Sequence, residues 1–280
     1  MTIKNVLFTI MAGATIWVAS CSNTSKANDP APATDTGDVT ANQHTLRVMS
    51  YNVHHCNPPS RPDFIDIDAI VKTIKDQNPD LVALQEIDVH TQRSGPYNQA
   101  EEIAKKLNMH YFFGKAIDYD GGAYGVAILS KYPLADTVVN KLPTMAETNG
   151  EPRVLATARV TLPDGTSIRF GSTHLDAQRA SVNREMQAAK ILEIASAEKL
   201  PFVIAGDFNA TPGTETITLL DSHFKRSCEP CSPTIPVNNP TKAIDFISYA
   251  PANRFRVDQQ QVIAERYASD HLPIVAVLKY

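Results

Sequence analysis

The 280-residue sequence lacks several features that mark specialised proteins. It has no run of Lys or Arg and a formal net charge of −4, which weighs against a protein dedicated to nucleic acid, because such proteins carry a basic stripe. Its four cysteines and eight histidines form no cluster with zinc spacing. No internal repeat occurs. The chain is long enough to bury a core without disulfides or metals, and its 43% apolar and 20% charged shares are typical of a globular protein.

The first 20 residues are typical of an export signal. Lys4 precedes an apolar run over 6–19, which is too short to span a bilayer comfortably. The sequence Val-Ala-Ser-Cys at 18–21 resembles a bacterial lipobox. We therefore predict a lipoprotein signal peptide over 1–20 and a lipid anchor on Cys21; a cleaved signal followed by an incidental cysteine is the alternative. Both predict export to the bacterial cell envelope, on the periplasmic side or the cell surface.

Two segments follow the signal. Residues 21–44 are rich in Ser, Thr, Ala, Asn, Asp and Pro without periodicity, which predicts a flexible tether. Residues 45–280 contain no second low-complexity break and are predicted to form one domain. Nothing in the sequence suggests an obligate oligomer, so we expect a monomer.

Strand-like apolar runs alternate with helix-like stretches in this domain. Asp164-Gly165 lies between two such runs and predicts a hairpin. Hairpins mixed with β-α-β stretches predict an α/β (α+β) protein with mixed sheets. The predicted helices span 66–77, 98–107 and 179–197, and the predicted strands span 46–51, 81–84, 123–129, 154–162, 167–172, 202–205, 244–249 and 274–279.

Polar side chains of the metal-ligand and acid–base types lie at or near the ends of these strands. Ligands of α/β folds bind at the carboxyl ends of strands. Glu86, for example, is expected just past the strand at 81–84. Taken singly, each residue is most often a turn or surface group, but an ordered series predicts one site. The series comprises Asn52, Glu86, His174, Asp207, Asn209, Asp245, Asp270 and His271.

The motifs around these residues resemble the endonuclease/exonuclease/phosphatase superfamily, which includes deoxyribonuclease-I-like nucleases, bacterial sphingomyelinases and inositol-phosphate phosphatases. The resemblance covers nearly all of 45–280 and implies a four-layer α/β/β/α sandwich, in which two mixed sheets face each other with helices outside. The motifs are Ser-Tyr-Asn at 50–52, Gln-Glu at 85–86, Ser-Thr-His-Leu-Asp at 172–176, Gly-Asp-Phe-Asn at 206–209, Ile-Asp at 244–245 and Ser-Asp-His at 269–271.

The resemblance also implies a metal site. Glu86 matches the principal metal-binding carboxylate, with Asn52 beside it, and Asp270 matches a position that joins a metal site in some members. An oxygen-only shell of this kind suits Mg²⁺ or Mn²⁺.

Catalytic roles follow from the same resemblance. His271 and Asp245 match a His–Asp pair in which the carboxylate fixes the imidazole tautomer while the ring takes a proton from water. Asp207 competes for the role of orienting or deprotonating the water, and the sequence does not decide between them. His174 matches a histidine that binds phosphate or the leaving group. Asn209 would bond the phosphoryl oxygen or orient Asp207.

Other residues have open interpretations. Arg153 resembles a phosphate-contacting arginine, with a surface salt bridge as the alternative. Tyr124 is a candidate for the wall of the site, with a core strand as the alternative. His54 and His55 line the pocket or belong to a loop near it.

The three cysteines of residues 45–280 also allow more than one interpretation. Cys228 and Cys231 are spaced for a local disulfide, which an oxidising periplasm would favour. Cys56 would then be unpaired.

The favoured function is a metal-dependent phosphoesterase that hydrolyses a phosphodiester or phosphomonoester by in-line attack of activated water. The lipid anchor, the acidic balance and His174 favour a lipid head group or small phosphate ester as substrate, and no stable nucleic-acid complex is expected. An extracellular or periplasmic nuclease acting on DNA or RNA is the alternative. A minor alternative is an inactive member of the superfamily that serves as a surface binding module. It is disfavoured because all eight key side chains are present.

Overall fold

The computed structural model describes residues 44–280. The signal peptide, the lipid on Cys21 and the tether up to residue 43 therefore lie outside the described residues and stay predictions. In the part of the chain that is described, no helix combines the length and apolar character needed to cross a membrane.

One six-stranded sheet contains both ends of the described chain. Its strand order is β11-β12-β1-β2-β4-β3. β1 pairs with β2 in parallel and with β12 antiparallel, so the sheet is mixed. Its strands are β1 (Thr45–Asn52), β2 (Leu81–Val89), β3 (His110–Tyr119), β4 (Gly122–Ser130), β11 (Arg256–Val262) and β12 (Ile274–Lys279).

The middle of the chain forms the second six-stranded sheet, ordered β5-β6-β7-β8-β10-β9. It is also mixed, because β7 and β8 are parallel whereas β8 and β10 are antiparallel. Its strands are β5 (Leu134–Lys141), β6 (Val154–Thr161), β7 (Ser167–His174), β8 (Phe202–Asp207), β9 (Lys225–Arg226) and β10 (Asp245–Ala250).

Three apolar clusters hold the layers together. In the central cluster, residues such as Val48 and Ala83 of the first sheet pack with Phe170 and Val203 of the second. The other two clusters bury the outer faces of the sheets under helices α1 (Ile67–Gln77) and α2 (Gln99–Leu107) on one side, and under α3 (Val182–Ala197) and α4 (Glu215–Asp221) on the other. The four-layer α/β/β/α sandwich is thus confirmed.

The first two helices begin and end where local chemistry dictates. Asp66 and Asn98 cap α1 and α2 by accepting hydrogen bonds from Ala69 N at 3.0 Å and Glu101 N at 3.2 Å. Both helices end at an asparagine in the left-handed conformation, a common helix stop. All three predicted helices are present, although α3 begins at Val182 rather than at 179.

One expected boundary was wrong. β2 does not end before Glu86 but runs on to Val89. Its register against β4 shifts between Leu84 and Ile87, and Glu86 has φ +59°. Such a bulge re-aims a side chain without ending the strand, so Glu86 lies within β2.

Candidate active site

Strand register brings the predicted residues to one place. Asn52, His174 and Asp207 are the last residues of β1, β7 and β8, and Asp245 is the first residue of β10. His174 pairs with Asp207 across the parallel strands, and Asp245 pairs with Asp207 across the antiparallel ones. An antiparallel strand begins where its neighbour ends, which is why these residues meet although they are far apart in sequence.

Asp207 is the centre of this arrangement and is 1% exposed. Its Oδ2 accepts a hydrogen bond from Asn52 Nδ2 at 3.1 Å and lies 3.5 Å from His174 Nε2 and 3.7 Å from His271 Nε2. Its Oδ1 accepts from the backbone N–H of Asn209 at 2.8 Å. Burial and the charge of Asp245 raise the pKa of Asp207 to about 7, against the opposing effect of His271.

Asp245 and His271 form the predicted pair. His271 Nδ1 lies 3.0 Å from Asp245 Oδ2, and Thr234 Oγ1 donates to the same oxygen at 2.5 Å. Burial lowers the pKa of His271, but Asp245 and Asp207 outweigh burial and raise it to about 10. His271 is therefore an imidazolium at neutral pH. Asp207, Asp245 and His271 are called the Asp207 cluster below.

His174 differs because its neighbour is a cation. Arg153 NH1 lies 3.1 Å from His174 Nδ1, and a guanidinium can only donate, so Nδ1 accepts and Nε2 carries the proton. Burial and Arg153 hold the pKa of His174 well below its usual value. Arg153 also pairs with Glu151 at 3.0 Å but is only 7% exposed, so it is not the surface salt bridge of the alternative interpretation.

Glu86 lies on the other side of Asn52. Asn52 Nδ2 donates to Glu86 Oε1 at 3.1 Å as well as to Asp207, so one amide links the two carboxylates. Burial would raise the pKa of Glu86, but His55, His174 and Asn52 more than offset it and hold the pKa well below its usual range. Glu86 is thus ionised and suited to a divalent cation.

Two histidines complete this second group. One ring nitrogen of His54, one of His55 and a carboxylate oxygen of Glu86 lie within 4.8 Å of one another, so together they could hold a metal ion. These three residues are called the Glu86 cluster below. The donor atoms beside Glu86 include nitrogens, and Asn52 turns its NH₂ toward Glu86 while its Oδ1 accepts from His54 N at 3.1 Å. The role of Asn52 as a metal ligand stays a prediction.

Two predicted residues lie at the margins of the clusters. Asp270 accepts a hydrogen bond from Ser269 Oγ at 3.4 Å and belongs to neither of the potential ligand groups found among residues 44–280. Its metal role stays a prediction. Asn209 donates its backbone N–H to Asp207 and its side-chain NH₂ to Leu175 O at 2.9 Å, so its backbone orients Asp207.

A cleft of about 100 Å³ opens beside Glu86 and is walled by Arg93, Tyr119, Tyr124 and Glu151. Tyr124, the candidate for the wall of the site, lines this cleft. Arg93 lies over the Tyr119 ring at 4.5 Å and is held by Asp88 at 2.7 and 2.9 Å. Sequence reasoning missed the other three wall residues, and also Thr234, because none lies in a recognisable motif.

None of the cysteines among residues 44–280 belongs to either of these clusters. Cys228 and Cys231 form the predicted local disulfide. Cys56 is a free, fully buried thiol whose pKa burial raises well above its usual value, so it is unreactive.

Comparisons with known proteins agree with the geometry. The model of the Endonuclease/Exonuclease/phosphatase family matches residues 49–271. The uncharacterized protein YbhP of Escherichia coli strain K12 is 24% identical over 249 residues, covering 84% of this chain and 96% of YbhP. An endonuclease/exonuclease/phosphatase structure from Beutenbergia cavernae DSM 12333 matches with a TM-score of 0.73 at 24% identity, over 84% of this chain and 71% of that one. A mannosyl-6-phosphatase from Bacteroides thetaiotaomicron VPI-5482 matches with a TM-score of 0.69 at 21% identity, over 84% and 100%.

The matched segment includes all eight residues of the predicted series. Members of the family are hydrolases that act on phosphoesters, generally with a divalent metal. The chain therefore belongs to the endonuclease/exonuclease/phosphatase family.

Proposed function

We propose that the protein is a divalent-metal-dependent phosphoesterase that cleaves a lipid head group or a small phosphate ester by in-line attack of water. The observation that carries the proposal is the surroundings of the Asp207 carboxylate. It lies within 3.7 Å of two histidines of opposite character, the charged His271 and the neutral His174. Displacement at phosphorus requires a base to activate the water, a cation to neutralise charge and a donor to bond a phosphoryl oxygen. All three kinds of group meet at this carboxylate.

Asp207 is the better base of the two candidates. His271 is already protonated at neutral pH, because Asp245 holds its pKa at about 10, so it has no lone pair to offer. Asp207, whose pKa burial and Asp245 raise to about 7, is poised to take a proton near neutral pH. The water loses its proton to Asp207 as its oxygen bonds to phosphorus.

His271 is a cation 3.7 Å from Asp207, on the side of the attacking water, where it stabilises the negative charge that grows on the phosphoryl oxygens. The bond from phosphorus to the leaving oxygen breaks on the opposite side, and a solvent water gives that oxygen a proton. Asp207 then releases its proton to solvent, which restores the site. The sum is one water consumed and one phosphoester bond cleaved.

The remaining residues stabilise charge. His174, whose Nε2 carries the proton, donates to a phosphoryl oxygen, and Arg153 fixes that tautomer. Glu86 would hold the divalent ion, which would neutralise negative charge on the phosphoryl group.

The surfaces beside the site favour a small ester. The cleft at Glu86 is about 100 Å³. A larger groove of about 540 Å³ borders Asn209, and its charged residues include three cations and two carboxylates, a net charge of only +1. A nuclease needs repeated cationic contacts along the phosphate backbone, which a nearly balanced groove does not supply. The groove residues that bear charge are Arg179, Arg184, Glu185, Glu215 and Lys242.

We also propose that the enzyme is a monomeric lipoprotein of the bacterial envelope, held on a membrane through Cys21. The lipobox-like sequence at 18–21 supports this. Labelled palmitate should enter the wild-type chain in a bacterial host and should not enter Cys21→Ala. Equal labelling of the two chains would remove the anchor from the proposal.

A substrate panel tests the activity. The full chain is incubated with Mg²⁺, Mn²⁺ or EDTA and offered nitrophenyl phosphate, bis-nitrophenyl phosphate, sphingomyelin, sugar and inositol phosphates, and plasmid DNA. We expect turnover of a small or lipid ester that needs metal and disappears in His271→Ala. Preference for plasmid DNA would instead establish the nuclease alternative, and no turnover of any compound would contradict the proposed function.

A further inference from the structure

His54 and His55 have no part in the proposed reaction, yet they lie beside its carboxylate Glu86. His55 Nδ1 is 3.8 Å from Glu86 Oε2, which is too long for a hydrogen bond. Two atoms that bind the same metal ion, each at about 2.1 Å, lie roughly 3–4 Å apart. The spacing therefore suits a shared ion better than a direct bond.

The hydrogen bond of one ring nitrogen of His54 leaves the other ring nitrogen free to bind a metal ion. Its Nδ1 lies 2.8 Å from the backbone oxygen of Asn57, an acceptor, so Nδ1 carries the proton and Nε2 has the free lone pair. Metal-binding histidines usually donate their second ring nitrogen in this way, which fixes the tautomer and the ring. The loop that holds Asn57 is itself fixed, because Asn57 Nδ2 donates to the carbonyl oxygens of Arg61, Pro62 and Phe64.

His55 differs from His54 because its Nδ1 makes no hydrogen bond among the described residues, although it is buried. A buried nitrogen without a partner is costly unless a ligand meets it. Gln99 of α2 donates to the His55 carbonyl oxygen at 2.6 Å, which ties the residue to the helix layer.

The backbone between them has an unusual conformation. His54, His55 and Cys56 have φ of 46°, 42° and 59°, a run of three left-handed residues without glycine. Such strain persists only where surrounding contacts impose it, and it gathers at functional sites. Here the contacts are the burial of Cys56 in the core and the bond from His54 N to Asn52 Oδ1. The strained turn brings both rings next to Glu86.

We propose that His54, His55 and Glu86 together bind the divalent ion of this enzyme, and that the site prefers a first-row transition metal to Mg²⁺. Imidazole nitrogens bind such metals well, whereas Mg²⁺ prefers oxygen. Asn52 then acts as an orienting donor rather than as a ligand. The inference rests on the proposed function, but ion binding is measured without any substrate.

Co²⁺ is the probe, because its visible absorption and its paramagnetic NMR shifts report on its ligands. The full chain, freed of metal, is titrated with Co²⁺, and Mg²⁺ is then added as competitor. We expect Co²⁺ to bind at least tenfold more tightly than Mg²⁺. The wild-type complex should show exchangeable, strongly shifted imidazole N–H signals, one of them from the His54 proton that is bonded to Asn57.

His54→Ala and His55→Ala should each weaken Co²⁺ binding at least tenfold and each remove one shifted signal. The exposed His110, substituted by Ala, is the matched control and should change neither. The wild-type spectrum needs no variant, so a misfolded variant does not prevent the test.

Three results separate this inference from the proposed function. Shifted imidazole signals without turnover of any ester would contradict the proposed function and support the inference. Ester turnover with no shifted imidazole signal would overturn the inference alone. Equal affinity for Co²⁺ and Mg²⁺ would overturn the preference for a transition metal.

Discussion

The two clusters of the site are built in opposite ways. The Asp207 cluster is buried, and two of its residues, Asp207 and Asp245, follow the regular register of β8 and β10. The Glu86 cluster is partly exposed, and all three of its residues have left-handed backbone. The Asn52 amide is hydrogen-bonded to a carboxylate of each cluster. Burial shifts the pKa values of the Asp207 cluster, whereas the partial exposure of the Glu86 cluster leaves it accessible to a ligand from solvent.

The largest expected effect comes from the buried cluster. Asp207→Asn keeps the size of the side chain but removes the base, so kcat for the preferred ester should fall by roughly 10³-fold. The circular dichroism spectrum should not change. Asp258→Asn, an exposed substitution on β11, is the control and should keep full activity. An Asp207→Asn enzyme within tenfold of wild type would mean that the base lies elsewhere.

A substitution in the Glu86 cluster should impair metal binding rather than proton transfer. Glu86→Gln removes the ionised ligand, so affinity for the divalent ion should fall at least about 100-fold. Activity should be low at limiting metal and partly recover as metal is raised, which Asp207→Asn should not do. The exposed Glu193 on α3, changed to Gln, should behave as wild type in both assays. Rescue of Asp207→Asn but not of Glu86→Gln by added metal would contradict this account, because it would place metal binding in the Asp207 cluster.

Asn52→Ala should damage both clusters at once, because its NH₂ bonds to both carboxylates. We expect a loss of roughly 10–100-fold in both metal affinity and kcat, measured by titration and by steady-state kinetics on the same preparation. An effect confined to one of the two quantities would show that Asn52 serves only that cluster.

The most local measurement concerns a single ionisation, that of His271 in Asp245→Asn. The pKa of His271, about 10 in the folded protein, exceeds the ordinary value near 6.5. The stabilising pair is therefore fully present below about pH 6.5 and is lost as pH rises through about 10. In Asp245→Asn burial still lowers the pKa of His271, and only Asp207 and Asp270 remain to raise it, so the pKa should fall. NMR titration of the His271 ring measures it directly, and an unchanged pKa would contradict the assigned cause.

The same comparison explains what the sequence could predict. The strands that deliver Asn52 and Asp207 are rich in apolar residues and buried over most of their length, so their positions could be predicted from the sequence. β11, with the sequence Arg-Val-Asp-Gln-Gln-Gln-Val, is a half-exposed edge strand and has no such signal. Its existence depends on pairing with β12.

The Glu86 cluster was harder to predict for a different reason. The bulge at Glu86 depends on the register against β4. Nothing in a His-His-Cys sequence predicts three left-handed residues, since glycine and asparagine are the residues that favour this conformation. For Arg153, the choice between a phosphate contact and a surface ion pair depended on its burial against His174, which is a tertiary fact.

Hydrolysis of the preferred ester in ¹⁸O-enriched water tests the proposed chemistry most directly. If water activated by Asp207 attacks phosphorus in line, each turnover should place one ¹⁸O atom in the phosphate-containing product and none in the released alcohol. Label in the alcohol would show cleavage on the carbon side of the bridging oxygen and would contradict attack at phosphorus.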